Sequence, residues 1–164
     1  MNTLTLMTID PGARYWGVSV FHGKVIITSK IKNLSTKDSS QNRLQIARKA
    51  FITLCKKYAP DILAIGKPHE YWEEQSQYLR KIIGVIKQLS KKGRIRVVEY
   101  SPKTARKLTC QDERATKEQM AQVIAQSYPE LKGYLDQGKK FNGEYWGRMI
   151  GSIAIGLCYL NRRK

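Results

Sequence analysis

Acidic residues are scarce in this chain: 13 Asp and Glu stand against 30 Lys and Arg in 164 residues, a formal charge of +17. So one-sided a charge repels itself in the folded state and is tolerated for the sake of a polyanionic partner, nucleic acid ahead of a membrane surface. The basic residues are interleaved with apolar positions throughout and not gathered in a tail, as on a charged face of a folded domain. Cysteine is sparse too. Cys55, Cys110 and Cys158 have no CxxC spacing and no histidine neighbour, which excludes a disulfide framework and leaves free or buried thiols in a reducing compartment. The two histidines, His22 and His69, lie far in sequence from each other and from any cysteine. No apolar run approaches the ~20 residues of a membrane helix, and the N-terminus lacks a charged n-region and a long apolar core. The expectation is a soluble, intracellular protein with no membrane partner.

What is present suffices for one domain. Apolar residues make up 41% of the chain, enough for a core, and no linker or repeat divides residues 1–164. The chain opens on Leu4-Thr5-Leu6-Met7-Thr8-Ile9-Asp10-Pro11-Gly12, a short apolar strand that carries a carboxylate to its C-terminal end. Pro11 and Gly12 then break it, because proline cannot donate to a ladder and glycine accepts turn dihedrals. Asp10 is either held on a rigid edge for chemistry or serves as a turn residue capping local amides. Strands from Tyr15 to Phe21 and Lys24 to Lys30 follow, joined by a tight His22-Gly23 turn, and then a polar link from Ile31 to Ser40.

Leu44, Ala47, Phe51, Leu54 and Tyr58 recur at helical spacing and predict an amphipathic helix from Ser40 to Tyr58, its other face carrying Arg43, Arg48, Lys49, Lys56 and Lys57. Ile62-Leu63-Ala64-Ile65 is unbroken apolar sequence, as in a strand covered on both faces, and stops at Gly66-Lys67-Pro68. A second helix buries Tyr78, Leu79, Ile82, Ile83, Ile86 and Leu89, and a fifth strand runs from Ile95 to Tyr100. Ser101-Pro102 has the form of an N-cap with proline at the first helical position. Thr116-Lys117-Glu118-Gln119 has the form of a capping box. Glu130 to Gly143 is polar and glycine-rich, read as a loop, before a last helix from Glu144 to Leu160. Gly147, Gly151 and Gly156 in that helix point to close helix–sheet contact. The order β-β-β-α-β-α-β-α-α-α predicts an α/β fold, a mixed sheet with helices on both faces.

Several of these pieces together resemble the RuvC-type Holliday-junction resolvases of the ribonuclease H-like superfamily. They are Thr8-Ile9-Asp10-Pro11-Gly12 with Gly17-Val18-Ser19, Ile62-Leu63-Ala64-Ile65, Glu99-Tyr100-Ser101-Pro102, Arg114-Ala115-Thr116-Lys117-Glu118-Gln119, and Ile153-Ala154-Ile155-Gly156. All five stand in the family's order. The resemblance implies a five-stranded ribonuclease H-like sheet, branched DNA such as a Holliday junction as partner, a role in recombination and repair, and a homodimer matching the junction's two-fold symmetry. The candidate dimer helix is Tyr71 to Leu89, where Ile82, Ile83 and Ile86 could serve an interface or the core. A helicase partner is left open.

In the family, four acids hold two divalent ions roughly 4 Å apart. Asp10 matches the first, whereas Gly66, Arg148 and Gly151 occupy the other three acidic positions. One carboxylate facing a guanidinium predicts no cofactor, and a site where Arg148 pairs with Asp10 or grips a phosphate. The reading is a pseudo-resolvase that binds branched DNA without cutting. Two alternatives stand beside it: a Mg²⁺- or Mn²⁺-dependent nuclease rebuilt from Asp10, Glu70 and Glu144, and a basic accessory or structural protein. Candidate DNA contacts are Lys67, His69 at the family's junction-opening aromatic position beside Tyr71 and Trp72, and Lys103, Arg106, Lys107, Arg114, Lys117 and Arg148.

Overall fold

A computed structural model describes residues 2–34, 40–68, 73–138 and 143–162. Among them five strands form one mixed sheet in the order β3-β2-β1-β4-β5. The strands β1 (Thr5–Pro11), β2 (Tyr15–His22) and β3 (Val25–Asn33) make an antiparallel meander, while β4 (Ile62–Gly66) and β5 (Arg96–Tyr100) lie parallel to β1 on its other side. The helices are α1 (Ser40–Tyr58), α2 (Glu73–Lys92), α3 (Pro102–Cys110), α4 (Lys117–Ser127), α5 (Lys132–Gly138) and α6 (Gly143–Asn161). This is the α/β, ribonuclease H-like arrangement expected, with helices on both faces.

Alternation along β1 assigns the two faces. Met7 and Ile9 point to one side, where they meet Phe51 and Leu54 of α1 and Ile82 and Ile86 of α2. Leu6 points to the other side, into a cluster with Phe21, Ala64 and Ile155 of α6. Thr8 shares that second side. Its hydroxyl donates to the Ser152 carbonyl at 2.7 Å, and the Ser19 and Ser152 hydroxyls bond at 2.7 Å, so a buried polar seam docks α6 onto the sheet. Each such bond contributes about 0.5–1.5 kcal/mol, and leaving one of these groups unpaired costs more. Glycine lets the helix come close. A β-carbon on Gly17 would run into the backbone carbonyl of Arg148, and one on Gly156 would lie 2.6 Å from Phe21 Cζ.

Both caps read from sequence are present. The Ser101 hydroxyl accepts from Thr104 N–H, and Thr116 and Gln119 satisfy each other's backbone N–H groups. Other expectations need correction. The segment 130–143 holds more than a loop: a 3₁₀ turn (Pro129–Leu131) leads into α5, because Leu131 and Leu135 are both 3% exposed and pack with Trp146, whose indole N–H donates to the Leu135 carbonyl. Strand β3 runs on to Asn33, since β2 continues to pair with it through Tyr15. Gly147 faces the Lys117 side chain at 3.8 Å, an ordinary contact with no sheet close by. Of the two roles left open for Ile82, Ile83 and Ile86, the core is the one observed, since all three are buried among this chain's own residues.

Candidate functional site

The register of β1 beside β4 pairs Ile9 with Ile65, which brings the next residues of both strands, Asp10 and Gly66, side by side at the sheet's C-terminal edge. Helix α6 crosses this edge. Arg148, Gly151 and Ile155, spaced three and four apart, lie on its sheet-facing stripe. A β-carbon on Gly66 would stand 3.3 Å from Asp10 Oδ1, and one on Gly151 would stand 2.7 Å from Asp10 Cγ and overlap its carboxylate. The four positions singled out in sequence therefore converge around one carboxylate.

Two cations hold that carboxylate. Arg148 Nη1 donates to Asp10 Oδ1 at 3.3 Å and to the Pro11 carbonyl at 3.0 Å. Lys117 Nζ lies 3.9 Å from Asp10 Oδ2. Sequence reasoning predicts Arg148 as a partner of Asp10, but Lys117 only as a phosphate contact. The capping box explains its reach, because it fixes Lys117 as the first residue of α4, next to α6. Asp10 is 15% exposed, Arg148 30% and Lys117 44%. Desolvation of the Lys117 ammonium holds its pKa below the usual lysine value; Asp10 opposes this, and Arg148 and Arg106 reinforce it. With its side chain 44% exposed, Lys117 is within reach of water, so solvent screens these interactions.

These residues floor a cleft of about 280 Å³, whose walls include Lys67, Pro68, Tyr100, Ser101 and Arg106. Among the described residues its charges are Asp10 against Lys67, Arg106, Lys117 and Arg148. That balance favours an anion. No group of three His, Cys, Asp or Glu among the described residues is placed to hold a metal ion.

Of the other candidates, Lys103 and Lys107 lie outside the cleft and share Glu113, at 3.3 and 4.0 Å. Arg106 is steered by its Nε bond to the Glu113 carbonyl at 2.7 Å. Arg114 is exposed beside Asp112, whose carboxylate accepts from its backbone N–H. His69, Glu70, Tyr71 and Trp72 lie outside the described residues, as does the side chain of Glu144 in α6. Glu99, at the end of β5, pairs with Lys87.

Residues 6–129 match the sequence model of a family described as crossover junction endodeoxyribonuclease RuvC, a span from β1 through α4 that includes Asp10, Gly66 and Lys117 but not α6. No curated protein sequence matches the chain. Among solved structures, Thermus thermophilus RuvC superposes with a TM-score of 0.73 at 14% identity, covering 98% of this chain and 97% of that one. The yeast mitochondrial Holliday junction resolvase gives 0.74 at 14% identity, covering 94% and 77%. The fowlpox virus resolvase, solved with Holliday junction DNA, gives 0.61 at 11% identity, covering 98% and 99%. At these identities the likenesses establish the fold.

Proposed function

Because the chain belongs to the RuvC family, we propose that it is a single-domain, homodimeric protein that binds Holliday junctions or other branched DNA and does not cut them. The observation that carries this reading is the engagement of both Asp10 oxygens by Arg148 and Lys117, at a point where the family's chemistry calls for acids. Magnesium keeps a near-octahedral shell of oxygen donors, and two such ions need several carboxylates to offset their charge. The described donors do not fit it. Asp10 is one carboxylate among four cations, Gly66 and Gly151 offer no side chain, and a guanidinium stands at the remaining position. The same groups suit a backbone phosphate, which a forked guanidinium and two or three ammonium or guanidinium neighbours bind by charge-assisted hydrogen bonds.

The cleft therefore grips where a nuclease would cut. A phosphate entering it exchanges Asp10 for itself as counterion to Arg148 and Lys117, while Lys67 and Arg106 meet it from the walls. A synthetic four-way junction, incubated with the protein in Mg²⁺ and separately in Mn²⁺, tests the reading. The expected result is a retained preference for junction over duplex at ~0.2 M salt, where non-specific phosphate binding has fallen steeply, with intact strands in both metals. Paired nicks abolished by Asp10→Asn would overturn it and direct attention to Glu70 and Glu144. Equal affinity for duplex and junction would favour the accessory-protein reading.

A further inference from the structure

Nearly half of the chain's net charge falls in one stretch of sequence that contributes no described residue to the cleft. Residues 24–60 carry nine Lys and Arg and one acid, Asp38, a net +8 out of +17. This stretch builds β3 and α1. Lys30 and Lys32 pair across the ladder with Val18 and Trp16, which point into the core shared with α1 and α2. Cross-strand partners share a face, so both lysines project on the α1 side of the sheet. Asp10, Gly66 and the cleft are on the α6 side.

Two of these cations converge on one residue. Lys30 Nζ stands 5.1 Å and Lys57 Nζ 5.3 Å from the centre of the Tyr58 ring. Burial tends to raise the Tyr58 pKa, yet the hydrogen bonds and charges of Lys30 and Lys57 outweigh it and hold the phenol below its usual value. Among the described residues no carboxylate pairs with Lys30, Lys57, Arg43, Arg48, Lys49 or Lys56. The nearby acid Asp61 is spent on the Thr5 backbone N–H at 2.8 Å. Like charges gathered without a counterion repel, and an anion seated between them removes the repulsion.

We propose that the β3–α1 face, centred on Lys30, Lys57 and the Tyr58 hydroxyl, is a second contact for duplex DNA that lets one molecule bridge two duplexes. The donors are lysine point charges and a phenol, which suit backbone phosphates and carry no base readout. Duplex DNA is stiff, with a persistence length of ~150 base pairs, so a duplex lying in the cleft does not also wrap to the opposite face of the sheet. A second duplex takes that face.

Bridging is read by energy transfer between donor-labelled and acceptor-labelled short duplexes mixed with the protein. The wild type is expected to take up two duplexes per protomer and bring them together, and Lys30→Gln/Lys57→Gln to take up one per protomer, leaving only the bridging that the two clefts of a dimer give. The slope of log affinity against log salt for the second duplex should fall by about 2, near 0.9 for each phosphate that is no longer neutralised. Tyr58→Phe, which keeps the ring, should weaken the second duplex alone, and unchanged thermal unfolding of each variant shows an intact fold. A stoichiometry of two duplexes per protomer that survives the double lysine change overturns the proposal. So does its absence in the wild type. The cleft variant Lys67→Gln/Arg106→Gln should lower junction affinity and spare second-duplex binding, so failure of this proposal is distinguishable from failure of the junction reading.

Discussion

The carboxylate of Asp10 fills the space that a side chain on residue 151 would need: a β-carbon there would lie 2.7 Å from Asp10 Cγ and 3.1 Å from Lys117 Nζ. The glycine and the tilt of the aspartate toward Lys117 are thus coupled. Two opposed effects meet in Gly151→Ala. Alanine favours a helix by up to about 1 kcal/mol over glycine, while overpacking a tight site costs about 1–3 kcal/mol. With Asp10 present the clash wins, and the variant unfolds at lower denaturant. In an Asp10→Ala background the clash is gone, so the same change stabilises. A denaturant double-mutant cycle that lacks this change of sign would show the coupling to be wrong.

Asp10 is also the charge that a bound phosphate has to displace. Asp10→Asn keeps the shape and removes the competitor, freeing Arg148 and Lys117. The expected outcome is junction binding tighter by about 3- to 10-fold at moderate salt, with a steeper salt dependence because more cationic charge is available to phosphate. Fluorescence anisotropy across a salt series measures both. In a nuclease that depended on Asp10 the same change would remove cleavage instead of improving grip.

Much of this is legible in the sequence alone. The apolar run 62–65, the carboxylate followed by Pro-Gly and the two cap patterns each specify local structure through short-range sterics and hydrogen bonds, and the fold follows from their order. Convergence of Asp10, Gly66, Arg148 and Gly151 is legible only through resemblance, since register and helix crossing are long-range properties. Lys117 shows the limit. Its cap position can be read, but contact with Asp10 depends on how α4 packs beside α6. The helix at Lys132–Gly138 is hidden by its two glycines, because burial of Leu135 against Trp146 overrides weak propensity.

The thiols give a pH dependence of defined sign. Burial pushes Cys158 up to about 12 and Cys55 up to about 11, from an ordinary value of 9.0. A thiol whose folded pKa is raised stabilises the fold below the unfolded value, and that contribution is lost as pH rises from 9 toward 11 and 12. Denaturant midpoints should therefore fall with rising pH through this window, less steeply in Cys158→Ala than in the parent. At about pH 8 iodoacetamide should label Cys158 in the unfolded chain and spare it in the native one, because the thiolate is the reactive form. Rapid native labelling would contradict the burial.

Restoring a cutting site needs more than three acids. Gly66→Glu, Arg148→Asp and Gly151→Asp would return carboxylates to the positions around Asp10, and a β-carbon at 66 has 3.1 Å to Ile155 Cδ1 and 3.3 Å to Asp10 Oδ1, tight but adjustable. The new acid at 151 would meet both Asp10 and the Lys117 ammonium, a fixed cation where a divalent ion would sit. The triple variant is expected to bind Mn²⁺ weakly, and addition of Lys117→Ala to strengthen binding at least ~10-fold, since one competing positive charge is removed. Calorimetry with Mn²⁺ measures this, and nicking of a four-way junction should appear with the quadruple variant. If that variant folds, as judged by circular dichroism, and neither binds Mn²⁺ nor nicks, then loss of ligands is not what separates this chain from a working resolvase, and the change lies in how the cleft receives DNA.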